Sequence, residues 1–202
     1  MDSSKGKRGA TAGAAGTLRV IGGKYRSRLI RVPARPGLRP TPDRVRETLF
    51  NWLGQNLEGH ACLDLFAGSG ALGFEAASRG AVRVVMVEKD RAALAELERN
   101  RAALEAAQVS VVGGDAEAYL ARETSRFDVV FLDPPFRQNA LPAILDKLPP
   151  RLEPAARVYV ESDSPVEVSG PWSELKRARA GQVSYQLLQW NAGIGIPAGE
   201  QS

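Results

Sequence analysis

The chain has little of what most hydrolytic and metal-dependent enzymes work with. Among 202 residues there is one cysteine, Cys62, and one histidine, His60. A single cysteine excludes an internal disulfide, and the two residues make no Cys/His cluster, so no metal site is expected. A Ser-His-Asp or Cys-His mechanism has too few partners to draw on, and neither residue is assigned a role. No apolar run approaches the roughly 20 residues of a membrane-spanning helix. Residues 1–17 are polar and rich in Gly, Ala, Ser and Lys. They lack the apolar segment of a secretory signal, read as a disordered tail, and point to a cytoplasmic protein.

Acidic residues are scarce at the N-terminus. Residues 1–46 hold 12 Lys/Arg against 2 Asp/Glu, a balance of +10, whereas the other 156 hold 15 against 21, a balance of −6. The net charge of +4 hides this split. A basic arm on a mildly acidic body fits a polyanionic partner such as a nucleic acid. A solvated, sticky terminus fits the charge equally well.

What is present is a repeating order of elements. "LRVIGGKYRSRLIRV" at 18–32 carries two short apolar-basic runs around Gly22-Gly23 and reads as a β-hairpin. Its exposed face would carry Arg19, Lys24, Arg26, Arg28 and Arg31. A proline-rich loop follows. A helix is then predicted, capped by Thr41, with Val45, Leu49, Trp52, Leu53 and Leu57 on one face and Gly59 as its stop. From residue 60 strands and helices alternate: "ACLDLF", a helix through Ser78, "VRVVMVEKD", a helix over 90–107, "QVSVVGGD", a helix over 115–123, "FDVVFL", a helix near 139–147, and "ARVYVES". Such alternation predicts an α/β fold with a parallel sheet covered on both faces. "SELKRARAG" and "QVSYQLLQW", joined near Gly181, read as an antiparallel hairpin at one sheet edge, giving seven strands. The expected organisation is a tail (1–17), a basic hairpin and loop (18–40), a Rossmann-like domain (41–192) and a loose end (193–202).

Gly68-Ser69-Gly70-Ala71-Leu72-Gly73 matches G-x-G-x-x-G between a strand and a helix, and Glu88 lies 20 residues beyond Gly68 at the end of the next strand. Glycines let a ligand approach the backbone, and a carboxylate there can accept from ribose hydroxyls. Asp64, near the end of the first strand, suits a cationic ligand and would repel a pyrophosphate; it can also simply hydrogen-bond the turn. The motif alone thus leaves open S-adenosylmethionine and a dinucleotide. Phe66, Ala67, Gly68 and Gly70 would line the cofactor. Asp115 is placed either to accept from an adenine amine or to cap the next helix, with Ala116 beside it.

"FDVVFL" ends in Asp133-Pro134-Pro135-Phe136. Two prolines remove two backbone donors and stiffen the corner. In a sheet of this kind the corner lies beside the glycine turn, across the switch point where ligands bind. The pair "DLFAGSGALG" and "DPPF" resembles the methyltransferases that act on exocyclic amines of bases. Together with "RVIGGKYRSR", "LRPTPDRVRETLFNWL" and "FLDPPFR", the chain is similar over about residues 18–190 to the bacterial RsmD family, 16S ribosomal RNA (guanine-N2)-methyltransferases.

The resemblance implies a class I S-adenosylmethionine-dependent fold, S-adenosylmethionine as cofactor, and 16S ribosomal RNA of an assembling or assembled small subunit as partner, with the enzyme a monomer. Asp133 and the Pro134 carbonyl would accept the amine N–H groups, Pro135 would keep the corner rigid, and Phe136 would stack on the extruded base. The basic arm then meets RNA through Arg19, Lys24, Arg26, Arg28, Arg39, Arg44 and Arg46, some of which also pair with Asp43 or Glu47. Other readings are adenine N6 in DNA, a nicotinamide-dependent oxidoreductase and a non-catalytic RNA-binding protein. The motif identifies the atom type, an NH2; the base follows from the resemblance.

Overall fold

A computed structural model describes residues 16–32, 41–135 and 140–193. Two antiparallel strands, β1 (Gly16–Arg19) and β2 (Leu29–Val32), come first, followed by α1 (Asp43–Leu53). The alternating region then runs β3 (Ala61–Asp64), α2 (Ala71–Ser78), β4 (Arg83–Glu88), α3 (Arg91–Leu104), β5 (Val109–Gly113), α4 (Ala116–Arg122), β6 (Phe127–Leu132), α5 (Leu141–Lys147) and β7 (Leu152–Ser162). The last two strands are β8 (Trp172–Ala180) and β9 (Val183–Trp190). The seven-stranded sheet has the order β5-β4-β3-β6-β7-β9-β8. As expected, it is mostly parallel. The closing hairpin inserts β9 antiparallel between β7 and β8. The strand order reverses between β3 and β6, so a crevice opens at their carboxyl ends.

Alternation along the strands divides the core in two. Cys62, Met86, Phe131 and Tyr159 face α1, α2, α3 and the N-terminal strands. Leu63, Val87, Val130 and Val160 face α4 and α5. The Cys62 thiol is fully buried in the first layer, and burial pushes it up to about 12, so it stays protonated and inert.

The N-terminal strands are part of this core. Leu18, Val20, Tyr25, Ile30 and Val32 are all buried, each worth about 1.5–3 kcal/mol of transfer free energy. Gly22-Gly23 does not reverse the chain, contrary to the sequence reading. The reversal spans residues 20–28, and the glycines dock on the end of α2. Gly22 N–H donates to Glu75 Oε1 (2.8 Å) and Lys24 N–H to the Ser78 carbonyl (2.7 Å). A Cβ on Gly23, at φ +73°, would lie 1.8 Å from that carbonyl oxygen.

The first helix differs at both ends. Pro42, not Thr41, is its N-cap residue, and no side chain caps it. It stops at Gly54, at φ +87°, before the predicted Gly59; Leu57 is buried beyond its end. The third helix ends at Leu104, short of 107, where Glu105 takes a left-handed conformation. The first strand begins at Gly16, inside the expected tail.

Candidate active site

Four carboxylates converge on the carboxyl edge, each delivered by a strand end. Asp64 closes β3 and pairs in register with Phe131 of β6. It is 2 % exposed and accepts the backbone N–H groups of Phe66 and Gly73. Desolvation pushes its carboxyl up to about 7, with a smaller push from the charge of Glu88. Asp64 therefore does what the simpler sequence reading proposed and ties the turn to the strand. Its high proton affinity also marks a place that favours a positive neighbour.

Glu88, at the end of β4, is buried. Its Oε2 accepts Gly68 N–H (2.9 Å), and its Oε1 accepts the N–H groups of Lys89 (2.9 Å) and Asp90 (2.8 Å). The glycine turn is thus held from both sides. Gly68 and Gly70 sit at φ +52° and +79°. A Cβ on Gly70 would come within 2.6–2.7 Å of Phe74 and Leu97, and one on Gly73 within 2.4 Å of Met86 Sδ. These two glycines are required by helix packing, whatever binds above them. Ala67 N–H is spent on the Val87 carbonyl (3.0 Å) and Gly70 N–H on the Ala67 carbonyl (2.7 Å). Ala67 and Ala116 are buried, and Phe66 is half-buried. Asp115 caps α4, accepting from Glu117 and Ala118 N–H (2.9 and 3.3 Å).

Asp133 follows the end of β6. It is partly exposed, Pro134 is buried and Pro135 exposed. Phe136 lies outside the described residues. Burial, then the charges of Glu161 and Asp64, raise the Asp133 carboxyl well above the usual range. Glu161 and Tyr159 escaped the sequence reading, which named Thr41 only as a helix cap. Tyr159 donates its hydroxyl to Glu161 Oε1 (2.8 Å), and the Thr41 side chain bonds the same carboxylate. Thr41 is spent there instead of on the helix. The available signal was an acid closing "ARVYVES", the strand that succeeds the one ending in "DPPF".

The arm residues separate into groups. Arg46 is a correction: its side chain is fully buried, and it does not reach a surface where RNA could meet it. It donates to the Arg19 carbonyl (3.0 Å) and Asp43 Oδ1 (2.6 Å) and faces Glu75 at 3.5 Å. Arg19, Lys24, Arg26, Arg28, Arg31 and Arg44 are exposed; Arg39 lies outside the described residues. Helix α2 starts at the carboxyl edge and runs back, so Ser78, and Lys24 bonded to it, lie about 10 Å further along at the opposite end. Arg26 and Arg28 belong to the same loop, and Arg28 donates to the Ala103 carbonyl near the end of α3 (2.6 Å). Arg19 lies beside the start of α1, whose first turn carries Arg44 and just before which Thr41 bonds Glu161 at the carboxyl edge. A cavity of about 410 Å³ there is lined by Thr17, Arg19, Thr41 and Asp43 among others.

The fold, and the sequence over most of its length, match known proteins. The family described as conserved hypothetical protein 95 matches residues 18–189. Ribosomal RNA small subunit methyltransferase D of Escherichia coli K12 is 46% identical over 184 residues, covering 88% of this chain and 92% of that protein. The chain belongs to the RsmD family. The Haemophilus influenzae protein of the same name is 42% identical over 187 residues, covering 89% and 97%. A solved structure described as a putative methyltransferase from Escherichia coli superposes with a TM-score of 0.80 at 45% identity, covering 88% of this chain and 99% of that one. The family is one of methyltransferases, and the Rossmann-like sheet described above is its fold.

Proposed function

We propose that this protein transfers a methyl group from S-adenosylmethionine to the exocyclic N2 amine of one guanine in 16S ribosomal RNA, during small-subunit assembly in the cytoplasm. The observation that carries the reading is the Asp133-Pro134 corner, set across the strand-order reversal from a glycine turn held by Asp64 and Glu88. The partner is the RNA, alone or within an assembling or complete small subunit, met by a monomer. The base rests on the family: the curated relatives are named for small-subunit ribosomal RNA.

The donor set suits a cationic cofactor. Buried Asp64 holds its proton up to about neutrality, beside Glu88, with no Lys or Arg ion pair to either Asp64 or Asp133 among the described residues. A sulfonium and an ammonium complement that charge. A pyrophosphate does not, because Gly68 and Gly70 N–H are already bonded within the turn and carboxylates surround it. This weighs against the nicotinamide oxidoreductase. Phe66, Ala67, Gly68 and Gly70 would flank the cofactor, with Glu88 toward the ribose and Asp115 and Ala116 toward the adenine. When bound, S-adenosylmethionine supplies an electrophilic methyl group without a metal.

The protein's task is then positioning. The guanine amine shares its lone pair with the ring and is a weak nucleophile. Asp133 and the Pro134 carbonyl each accept one N–H, which turns the nitrogen lone pair toward the methyl group. Pro135 has no N–H to compete for those acceptors. Phe136 stacks on the extruded base. The excess proton leaves to Asp133 or to water. Arg19 and Arg44 contact RNA nearest the reacting base, whereas Lys24, Arg26 and Arg28 serve RNA that extends past the opposite edge.

Transfer of a tritiated methyl group to small-subunit ribosomal RNA, paired with calorimetric cofactor binding, tests the reading. In Asp133→Ala, transfer falls at least about 100-fold, the scale of a lost positioning and proton-accepting group, while S-adenosylmethionine affinity stays within about twofold. Equal loss of affinity would make Asp133 a cofactor residue instead.

A further inference from the structure

Glu161 is a buried carboxylate beside the catalytic corner, 6 % exposed. Leu132 of β6 pairs with Val160 of β7. Asp133 and Glu161 are the next residues on two neighbouring parallel strands, which lie about 4.8 Å apart. Phe131 and Tyr159 also pair, and both belong to the core layer under α1. Asp133 and Glu161 stand two residues further on, so the alternation puts them on that same face. The groups facing the pair are few. Tyr159 donates to Glu161 from its own strand (2.8 Å), and Thr41 bonds it from the segment before α1. Tyr185 of β9 stands opposite Glu161 in register, and Asp64 lies beyond Asp133 at the end of β3. Among the described residues neither carboxylate makes an ion pair with Lys or Arg. Each carboxylate held this close favours the protonated form of the other, so the two titrate as a pair.

We infer that Glu161 is a positioning residue for the methyl transfer: it shares a proton with Asp133, so that Asp133 takes the amine proton while the shared proton passes to Glu161. The inference rests on the reading that Asp133 receives the target amine. The step balances. The nitrogen lone pair forms the N–C bond as the C–S bond breaks, its electron pair staying on sulfur. The nitrogen then carries a positive charge and releases one N–H proton, keeping that electron pair. The proton forms an O–H bond on Asp133 as the shared proton leaves Asp133 for Glu161. The pair goes from one proton to two and later returns one to water. Tyr159 and Thr41 stabilise the Glu161 charge and so leave the shared proton on Asp133 before transfer. The same electrostatics raise both carboxyls: burial first for each, and for Asp133 the neighbouring charge of Glu161.

Carbon-13 NMR titration of the side-chain carboxyls, on the protein without cofactor or RNA, reads the pair directly. In the wild type, Asp133 titrates well above pH 4 in a two-step curve shared with Glu161. In Glu161→Gln it titrates in one step, at least about one pH unit lower. Tyr159→Phe keeps the ring and removes one donor, so it moves the Asp133 midpoint the same way by less, and it serves if the Gln variant does not fold. An Asp133 titration unmoved in both variants overturns the inference. Single-turnover transfer to ribosomal RNA is the second reading. Glu161→Gln moves the acid limb to lower pH and lowers the plateau about tenfold or more, and Glu161→Asp restores the plateau. An unchanged limb and plateau overturn the inference as well. Transfer that survives Asp133→Ala would instead defeat the proposed role of Asp133 and leave the titration result standing.

Discussion

Asp64 shows how one side chain serves both the fold and the reaction. Its carboxylate takes two backbone N–H groups that fasten the glycine turn, yet burial leaves its charge poorly compensated. The folded protein holds the Asp64 proton to about pH 7, against 3.8 for an ordinary aspartate. Protonation therefore favours the folded state. The contribution is fully present below about pH 4 and is lost as pH rises through 7. That difference corresponds to about 4 kcal/mol at most. Asp64→Asn removes this dependence. Urea unfolding at pH 5 and pH 8 is expected to show the wild type losing stability between the two and the variant losing less. Cofactor affinity of the variant falls, because the counter-charge is gone. The sequence disclosed Asp64, Glu88 and Asp133 because each closes an apolar strand. It did not disclose Glu161, whose meaning depends on which strand lies beside β6.

At the scale of elements, the connection between the N-terminal strands and the cofactor-binding half is Glu75, a fully buried residue in the middle of α2. It accepts Ile21 and Gly22 N–H (2.8 Å each) and pairs with Arg79 (2.7 Å) and Arg46 (3.5 Å). One carboxylate thus joins the hairpin loop, α1 and α2. Glu75→Ala leaves two buried guanidinium groups without it and costs about 3–5 kcal/mol, measurable by denaturant unfolding. A loss below about 1 kcal/mol would mean the junction is held by apolar packing alone. This junction explains two sequence readings that failed. Gly22-Gly23 has the chemistry of a tight turn and Arg46 that of a surface cation. Both are decided by a helix more than 25 residues away. The alternating strands and helices, by contrast, were legible because each apolar run reports its own burial. Helix ends were less legible: Thr41 has cap chemistry, but Glu161 claims its side chain.

At the scale of the whole molecule, the exposed cations Arg19, Lys24, Arg26, Arg28 and Arg31 ride on strands and a loop packed into the core, so the basic arm is not a detachable appendage. With Val20, Tyr25 and Ile30 in the core, deleting residues 1–40 would expose that core and confound a binding measurement. Charge reversal of exposed residues avoids this. Arg19→Glu with Arg44→Glu is expected to weaken ribosomal RNA binding and to flatten the salt dependence of log K by about 0.7–0.9 for each phosphate no longer neutralised. Lys24→Glu alone has a smaller effect on transfer, since it lies at the far edge. An unchanged slope in the double variant would place the RNA elsewhere on the surface. The central claim is narrower: this protein methylates one guanine amine of 16S ribosomal RNA through Asp133. Mass-spectrometric mapping of 16S ribosomal RNA from cells lacking the protein, complemented with wild type or Asp133→Ala, tests it most directly. The account predicts N2-methylguanine missing at one position, restored by the wild type and not by the variant. A position still modified in the variant, or a missing methyl on another base, would contradict it.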